Sequence, residues 1–193
     1  MKYTFIAILF LVIACQTKKE NTAQTSESTA TTVVNDSIAK GKQQIQIIRD
    51  SIGANLQNAI ENGGTASAIA FCNIEANNIV EATSGDFKGK IKRVSDKPRN
   101  PNNQASEAEL AFIQACKDSL NNATMPKPKM HYVDDKAFAY YPIVTNNMCM
   151  QCHGTPMKDI PADVVSVLQE KYPNDKAINY KPQAIRGLFV VEF

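Results

Sequence analysis

The sequence lacks an excess of charge of either sign. Its 21 Lys and Arg stand against 19 Asp and Glu, a net +2. That balance excludes a nucleic-acid binder that works through a strong basic field. Long apolar runs are also missing. The longest, Phe5–Ala14, covers about ten residues, half of the roughly 20 a membrane-crossing helix needs. A multi-span membrane protein is therefore excluded. Tryptophan is absent, and histidine occurs only at His131 and His153, which leaves little material for acid–base or zinc chemistry. The five cysteines are an odd number and do not form a simple paired framework. No internal repeat is present. What remains is a chain of 193 residues, 44% hydrophobic and 21% charged, enough to build a core and too apolar for wholesale disorder. Its length suits one domain plus an export segment.

The apolar run follows a basic residue, Lys2, and ends Leu11-Val12-Ile13-Ala14-Cys15. A short apolar segment behind a basic start reads as a secretory leader. An aliphatic residue, a small residue and then Cys resemble the bacterial lipobox, which implies a signal peptide over 1–14 and a lipid on the Cys15 sulfur. Residues 15–35 are rich in Thr, Ser, Asn and Gln and read as a flexible tether. The expected location is the cell envelope, facing the periplasm; Gln16 carries no inner-membrane retention signal, so the choice of membrane stays open. The domain is expected over 36–193.

Within it, Ile38, Ile45, Ile48, Ile52, Leu56 and Ile60 form one apolar stripe at helical spacing. Asp36 can cap that helix, and Asn62-Gly63-Gly64 ends it. A second helix is predicted over 65–82, with Ile69, Cys72, Ala76 and Ile79 on one face. Residues 88–95 read as a strand and 97–104 as a Pro/Asn loop. Ser106-x-x-Glu109 is a capping box opening a helix to about Asn121. Residues 129–144 read as a hairpin turning near 133–136, Pro161 opens a short helix, and 187–193 is a last strand. Helices precede strands without the alternation of a parallel sheet, so the fold class is α+β with a small antiparallel sheet and helices beside it.

The chemistry sits in Cys149-Met150-Gln151-Cys152-His153, a C-x-x-C-H run. Two thiols at this spacing can add to the two vinyl groups of a haem, and the next residue then supplies an imidazole to the iron. Export fits, because such attachment occurs outside the cytoplasm. Two other chemistries use C-x-x-C. A thioredoxin-like disulfide needs the motif early in a βαβ unit, a context absent here. A zinc site needs two further ligands, with Cys116 and His131 as candidates and no second C-x-x-C to help. One motif implies one covalent haem. The second axial ligand is open between Cys72, His131 and the thioethers of Met125, Met130 and Met157; Met148 and Met150 lie too close to the attachment run. Cys116, beside Leu110, Phe112 and Ile113, reads as core. Arg93 and Arg99, with Asn100 and Asn103, could meet the haem carboxylates or form a solvated turn. Tyr140 and Tyr141 could wall a pocket or fill core.

Ala70-Phe71-Cys72-Asn73, Arg93-Val94-Ser95, Arg99-Asn100-Pro101-x-Asn103, Tyr140-Tyr141-Pro142 and the C-x-x-C-H-G run, in this order, resemble an exported single-haem c-type domain family with a PAS-like fold. The family was first catalogued as a domain of unknown function, and it occurs alone or as the sensor end of bacterial signalling proteins. The resemblance covers about residues 40–193. It implies a central antiparallel sheet, attachment through Cys149 and Cys152, His153 as proximal ligand and Cys72 as distal ligand. It also implies Arg93, Arg99 and Asn103 around the haem. With no downstream transmembrane or kinase segment, a sensory role would need a partner protein.

Three functions are then open. A redox or small-ligand sensor is expected first, an envelope electron carrier second. A peroxidase-like enzyme is the least expected, since it needs an open iron face and an acid/base that only His131 could provide. The expected partners are the membrane, through the lipid, and a redox or signalling protein, with no nucleic acid.

Overall fold

The computed structural model describes residues 22–83, 87 and 89–193, without the side chains of 22–30, 70–77, 79 and 83. The first fifteen residues, with the leader and Cys15, lie outside the described residues. Two units are distinguished, Met1–Val33 and Val34–Phe193. The described part of the first is helical. The second holds the sheet and the remaining helices.

The first helix, α1, is Thr22–Thr83. It begins ahead of Asp36, which therefore sits inside it rather than capping it. The predicted break at Asn62-Gly63-Gly64 is a kink: Gly64 has φ 74° and ψ 176°, a backbone state that a residue without Cβ adopts readily. The helical segment beyond it runs on to Thr83.

Four antiparallel strands follow: β1 (Lys90–Val94), β2 (Lys129–Val133), β3 (Lys136–Val144) and β4 (Ile185–Glu192), in the order β1-β4-β3-β2. The β2–β3 hairpin turns at Asp134-Asp135, with Val133 opposite Lys136, and Asp134 takes φ 50°, as a tight hairpin turn requires. The last strand starts at Ile185, earlier than its apolar run announces, because Val144 pairs with Ile185 across a register shift. The capping box opens α2 (Glu107–Asn121) as predicted: the Ser106 backbone N–H donates to Glu109 Oε2 at 2.8 Å. Two short helices remain, α3 (Met150–His153) and α4 (Ala162–Lys171).

The central strands β3 and β4 are buried on both faces, and strand alternation sorts their side chains. Tyr140, Ile185, Leu188 and Val190 meet Ile113 and Cys116 of α2. Ala139, Tyr141, Phe189 and Val191 meet Ile45 and Ile48 of α1. Helices therefore cover both faces, α1 on one and α2 on the other. The α+β antiparallel expectation holds, with the addition that α2 supplies a second layer. Tyr141 also fastens α1 by donating from its hydroxyl to the Ile38 carbonyl at 2.9 Å, and a Cβ at Gly41 would overlap that hydroxyl. A third cluster joins Ile69 of α1 to Ile160, Val164, Leu168 and Tyr172, with Cys152 packed against it.

Candidate cofactor site

A cavity of about 390 Å³ opens between α1 and the sheet end that carries the C-x-x-C-H run. That size falls within the range of small-molecule and cofactor sites. Its α1 wall is Ile52, Leu56, Ile60 and Ile69, and its sheet wall is Ile143 and Phe189. Cys149, Cys152 and His153 line one side, and Arg93, Arg99, Arg186 and Arg49 bring positive charge to the same space. An apolar slot edged by guanidinium groups suits a flat apolar molecule with anionic substituents.

The C-x-x-C-H run folds as the single turn α3, with Asn146 holding its entrance. The Asn146 side-chain oxygen accepts the Cys149 backbone N–H at 3.2 Å, and the Cys149 thiol lies 3.2 Å from the same oxygen. The His153 N–H closes the turn on the Cys149 carbonyl at 2.9 Å. Both cysteines are half-buried.

His153 is oriented by a neighbouring loop. Its Nδ1 lies 2.8 Å from the Ala177 carbonyl oxygen. A carbonyl only accepts, so Nδ1 carries the proton and Nε2 keeps a lone pair for a metal. Burial holds the His153 pKa well below its ordinary value, and the nearby charges of Arg99, Arg186 and Arg93 act in the same direction, against the opposing hydrogen bond to Ala177. The imidazole is thus neutral, the state in which it ligates metals.

Two loops clamp this arrangement. The 175–180 loop binds α3 through Asn179 N–H to Gly154 O at 2.9 Å and Tyr180 N–H to His153 O at 2.8 Å. The 97–99 loop binds the 175–180 loop in turn: Lys97 Nζ donates to Ile178 O at 2.7 Å, and Lys176 N–H donates to Pro98 O at 3.2 Å. Arg99 completes the clamp. Its Nε and Nη2 each lie 2.9 Å from Asp175 Oδ2, and Nη2 donates to the Cys152 carbonyl at 2.5 Å.

The structure thus brings Cys149, Cys152, His153, Arg93, Arg99 and Asn103 to one cavity. Arg99, expected as a partner for haem carboxylates, instead spends its fork on Asp175. Arg186, which the sequence analysis did not single out, lines the cavity, and the next residue, Gly187, packs closely on β1. There φ is 155°, and a Cβ would overlap the Val94 carbonyl. Arg186 Nη1 donates to Ser95 Oγ at 2.9 Å, and among the described residues no carboxylate forms an ion pair with it. Asp175 and Ala177 were missed as well. Asp175 had one weak signal, an acid in the turn after α4, and Ala177 had none, since it acts through its backbone.

Residues 15–193 match the family described as Tll0287-like. The chain belongs to the Tll0287-like family. A solved structure, the crystal structure of the cyanobacterial heme-protein Tll0287, aligns with a TM-score of 0.59 at 20% identity, covering 82% of this chain and 94% of that one. At that identity the likeness shows the shared fold, and the four-stranded antiparallel sheet with flanking helices is consistent with a PAS-like arrangement. No curated protein matches the chain.

The remaining candidates of this Tll0287-like chain separate by place. Cys72 lies in α1, in the segment beyond the kink, and its side chain lies outside the described residues. His131 is stacked on Tyr140 with ring centroids 5.3 Å apart, on the α2 side of the sheet and away from the cavity. Met125 and Met157 are exposed, Met130 packs against the α1-side core, and Met148 stands at the cavity edge. Asn100 lines the cavity, where its side-chain oxygen accepts the Asn102 N–H at 3.0 Å. Tyr140 and Tyr141 fill core on opposite faces of the sheet, and Cys116 is buried with the α2 layer.

Proposed function

We propose that this protein is a membrane-anchored, monohaem c-type cytochrome-like protein that acts in redox or small-ligand sensing in the cell envelope. The carrying observation is the Nδ1–H of His153 held on the Ala177 carbonyl, with Cys149 and Cys152 beside it on the wall of an apolar cavity. That set fits a haem: two thiols for attachment, an imidazole with Nε2 available, aliphatic walls, and guanidinium groups for the carboxylates. Membership of a family with a heme-protein relative supports the same reading. When bound, the haem supplies a one-electron iron couple. The chain's part is to hold the imidazole neutral and fixed and to keep water from the ring with Ile52, Leu56 and Phe189.

Cys72 is the distal ligand in this reading. Ile69 lines the cavity, and a residue three positions along a helix shares its face. A His/Cys pair leaves no open coordination position, which argues for sensing or electron transfer and against peroxidase-like chemistry. Cys15 carries the lipid, and the partner is a redox or signalling protein.

The test is the full chain, exported in a host with cytochrome c maturation. Intact mass should show one haem per chain, lost in C149S/C152S. A thiolate-type ferric spectrum should vanish in Cys72→Ala; a spectrum unchanged in that variant would remove Cys72 from the iron. Carbon monoxide or nitric oxide binding to the reduced form would favour ligand sensing. Unaltered spectra with fast electron exchange would favour the carrier.

A further inference from the structure

Asp175 holds two of the groups that orient His153, Arg99 and the Ala177 backbone. Its Oδ2 takes both Arg99 nitrogens at 2.9 Å, in a pair whose side chains are 11% and 10% exposed. Its Oδ1 accepts the Ala177 N–H at 2.7 Å. The carbonyl of that same Ala177 receives the His153 Nδ1–H, with Arg99 Nη2 at 3.4 Å from it. Arg99 Nη2 also holds the carbonyl of Cys152, next to His153. The result is a closed ring from carboxylate to guanidinium to α3, and from carboxylate through Ala177 to the imidazole. Nothing in the C-x-x-C-H run requires it. Haem attachment needs the thiols and the imidazole alone.

We infer that the Asp175–Arg99 pair is a positioning device that sets the reduction potential of the metal bound by His153. The inference rests on the haem reading above. Two physical effects follow from the geometry. Asp175 fixes the carbonyl that the imidazole faces, and the partner of the non-ligating nitrogen tunes how strongly the other nitrogen donates to a metal. Asp175 also balances the Arg99 charge at the edge of a poorly solvated site, where charges act over longer range than in water. An unbalanced cation there favours the iron state with one more electron, and an unbalanced anion favours the other. Arg186 and Arg93 face the same imidazole from β4 and β1. The Asp175 carboxylate is thus the anion set against a cationic surround.

The two charges can be removed one at a time in the haem-loaded full chain. Asp175→Asn keeps the shape, frees the Arg99 charge and should raise the potential. Arg99→Gln leaves the Asp175 charge uncompensated and should lower it. Each shift should be about tenfold in the reduction equilibrium constant, or about 59 mV for one electron. D175N/R99Q should return near the parent value, because the effects oppose. A merely structural clamp would weaken both single variants in thermal unfolding and move their potentials in one direction or not at all. That result overturns the inference. If one single variant fails to fold, the sign of the other and the double variant still decide it. Failure of the parent chain to retain haem overturns the haem reading and this inference together. A haem-loaded parent with unshifted variants overturns this inference alone.

Discussion

At the residue scale the two kinds of cysteine are distinguished by surroundings rather than by sequence neighbours. Cys149 and Cys152 are half-buried on a cavity wall. Cys116 is 2% exposed among Ile113, Leu188 and Val190, and burial pushes its thiol up to about 11. A thiol reacts as the thiolate, so Cys116 is inert at neutral pH while the fold lasts. Alkylation of the haem-free chain at pH 8, mapped by mass spectrometry, should modify Cys149 and Cys152 promptly and Cys116 only after denaturant is added. Prompt labelling of Cys116 would show that the α2 layer is not packed as described. Residue identity alone made the C-x-x-C-H run legible as a candidate for haem attachment, because that chemistry is local: five consecutive residues hold both thiols and the imidazole. Asp175 was not legible for the opposite reason. It meets Arg99 across 76 residues of chain, and no local pattern announces that pairing.

At the scale of elements, α2 was read correctly because a capping box is a short-range device, with Ser106 and Glu109 one turn apart. The same Glu109 links the helix to β1. Its Oε1 lies 2.8 Å from Lys92 Nζ, and it is 3% exposed as a residue. Burial alone would push its carboxyl up, but the Lys92 ammonium and the Ser106 N–H outweigh burial and hold it below its usual value. A carboxyl whose folded value is depressed contributes stability above its unfolded value and loses it as pH falls through the folded one. Glu109→Gln should therefore cost about 1 kcal/mol at pH 7, and the deficit should shrink on acidification below about pH 4.5. Denaturant unfolding of the haem-free chain at several pH values measures this; a deficit independent of pH would assign the loss to packing. Two elements had their limits misjudged, for different reasons. The start of β4 at Ile185 depends on Val144 and a register shift. The start of α1 ahead of Asp36 occurs in a Thr- and Ser-rich stretch whose composition favours a tether.

At the scale of the molecule, the sheet and its two helical layers bring three distant segments to one cavity. The apolar stripe of α1 forms one wall, the β1 and β4 ends carry Arg93 and Arg186, and the C-x-x-C-H turn closes the side. The stripe and the turn were visible in sequence as periodicity and motif. Arg186 was not, because only the pairing of distant segments sets it beside Ser95 and the C-x-x-C-H turn, a tertiary circumstance. The absence of His131 from the cavity likewise follows from which face of β2 it occupies. The proposed function stands or falls on covalent haem at Cys149 and Cys152. The most direct measurement is the visible spectrum of the exported full chain after denaturation in alkaline pyridine, followed by extraction into acidified organic solvent. The expected result is a c-type spectrum that stays with the protein and disappears in C149S/C152S. Haem that extracts freely, or no haem in a host that matures a control cytochrome, would contradict it.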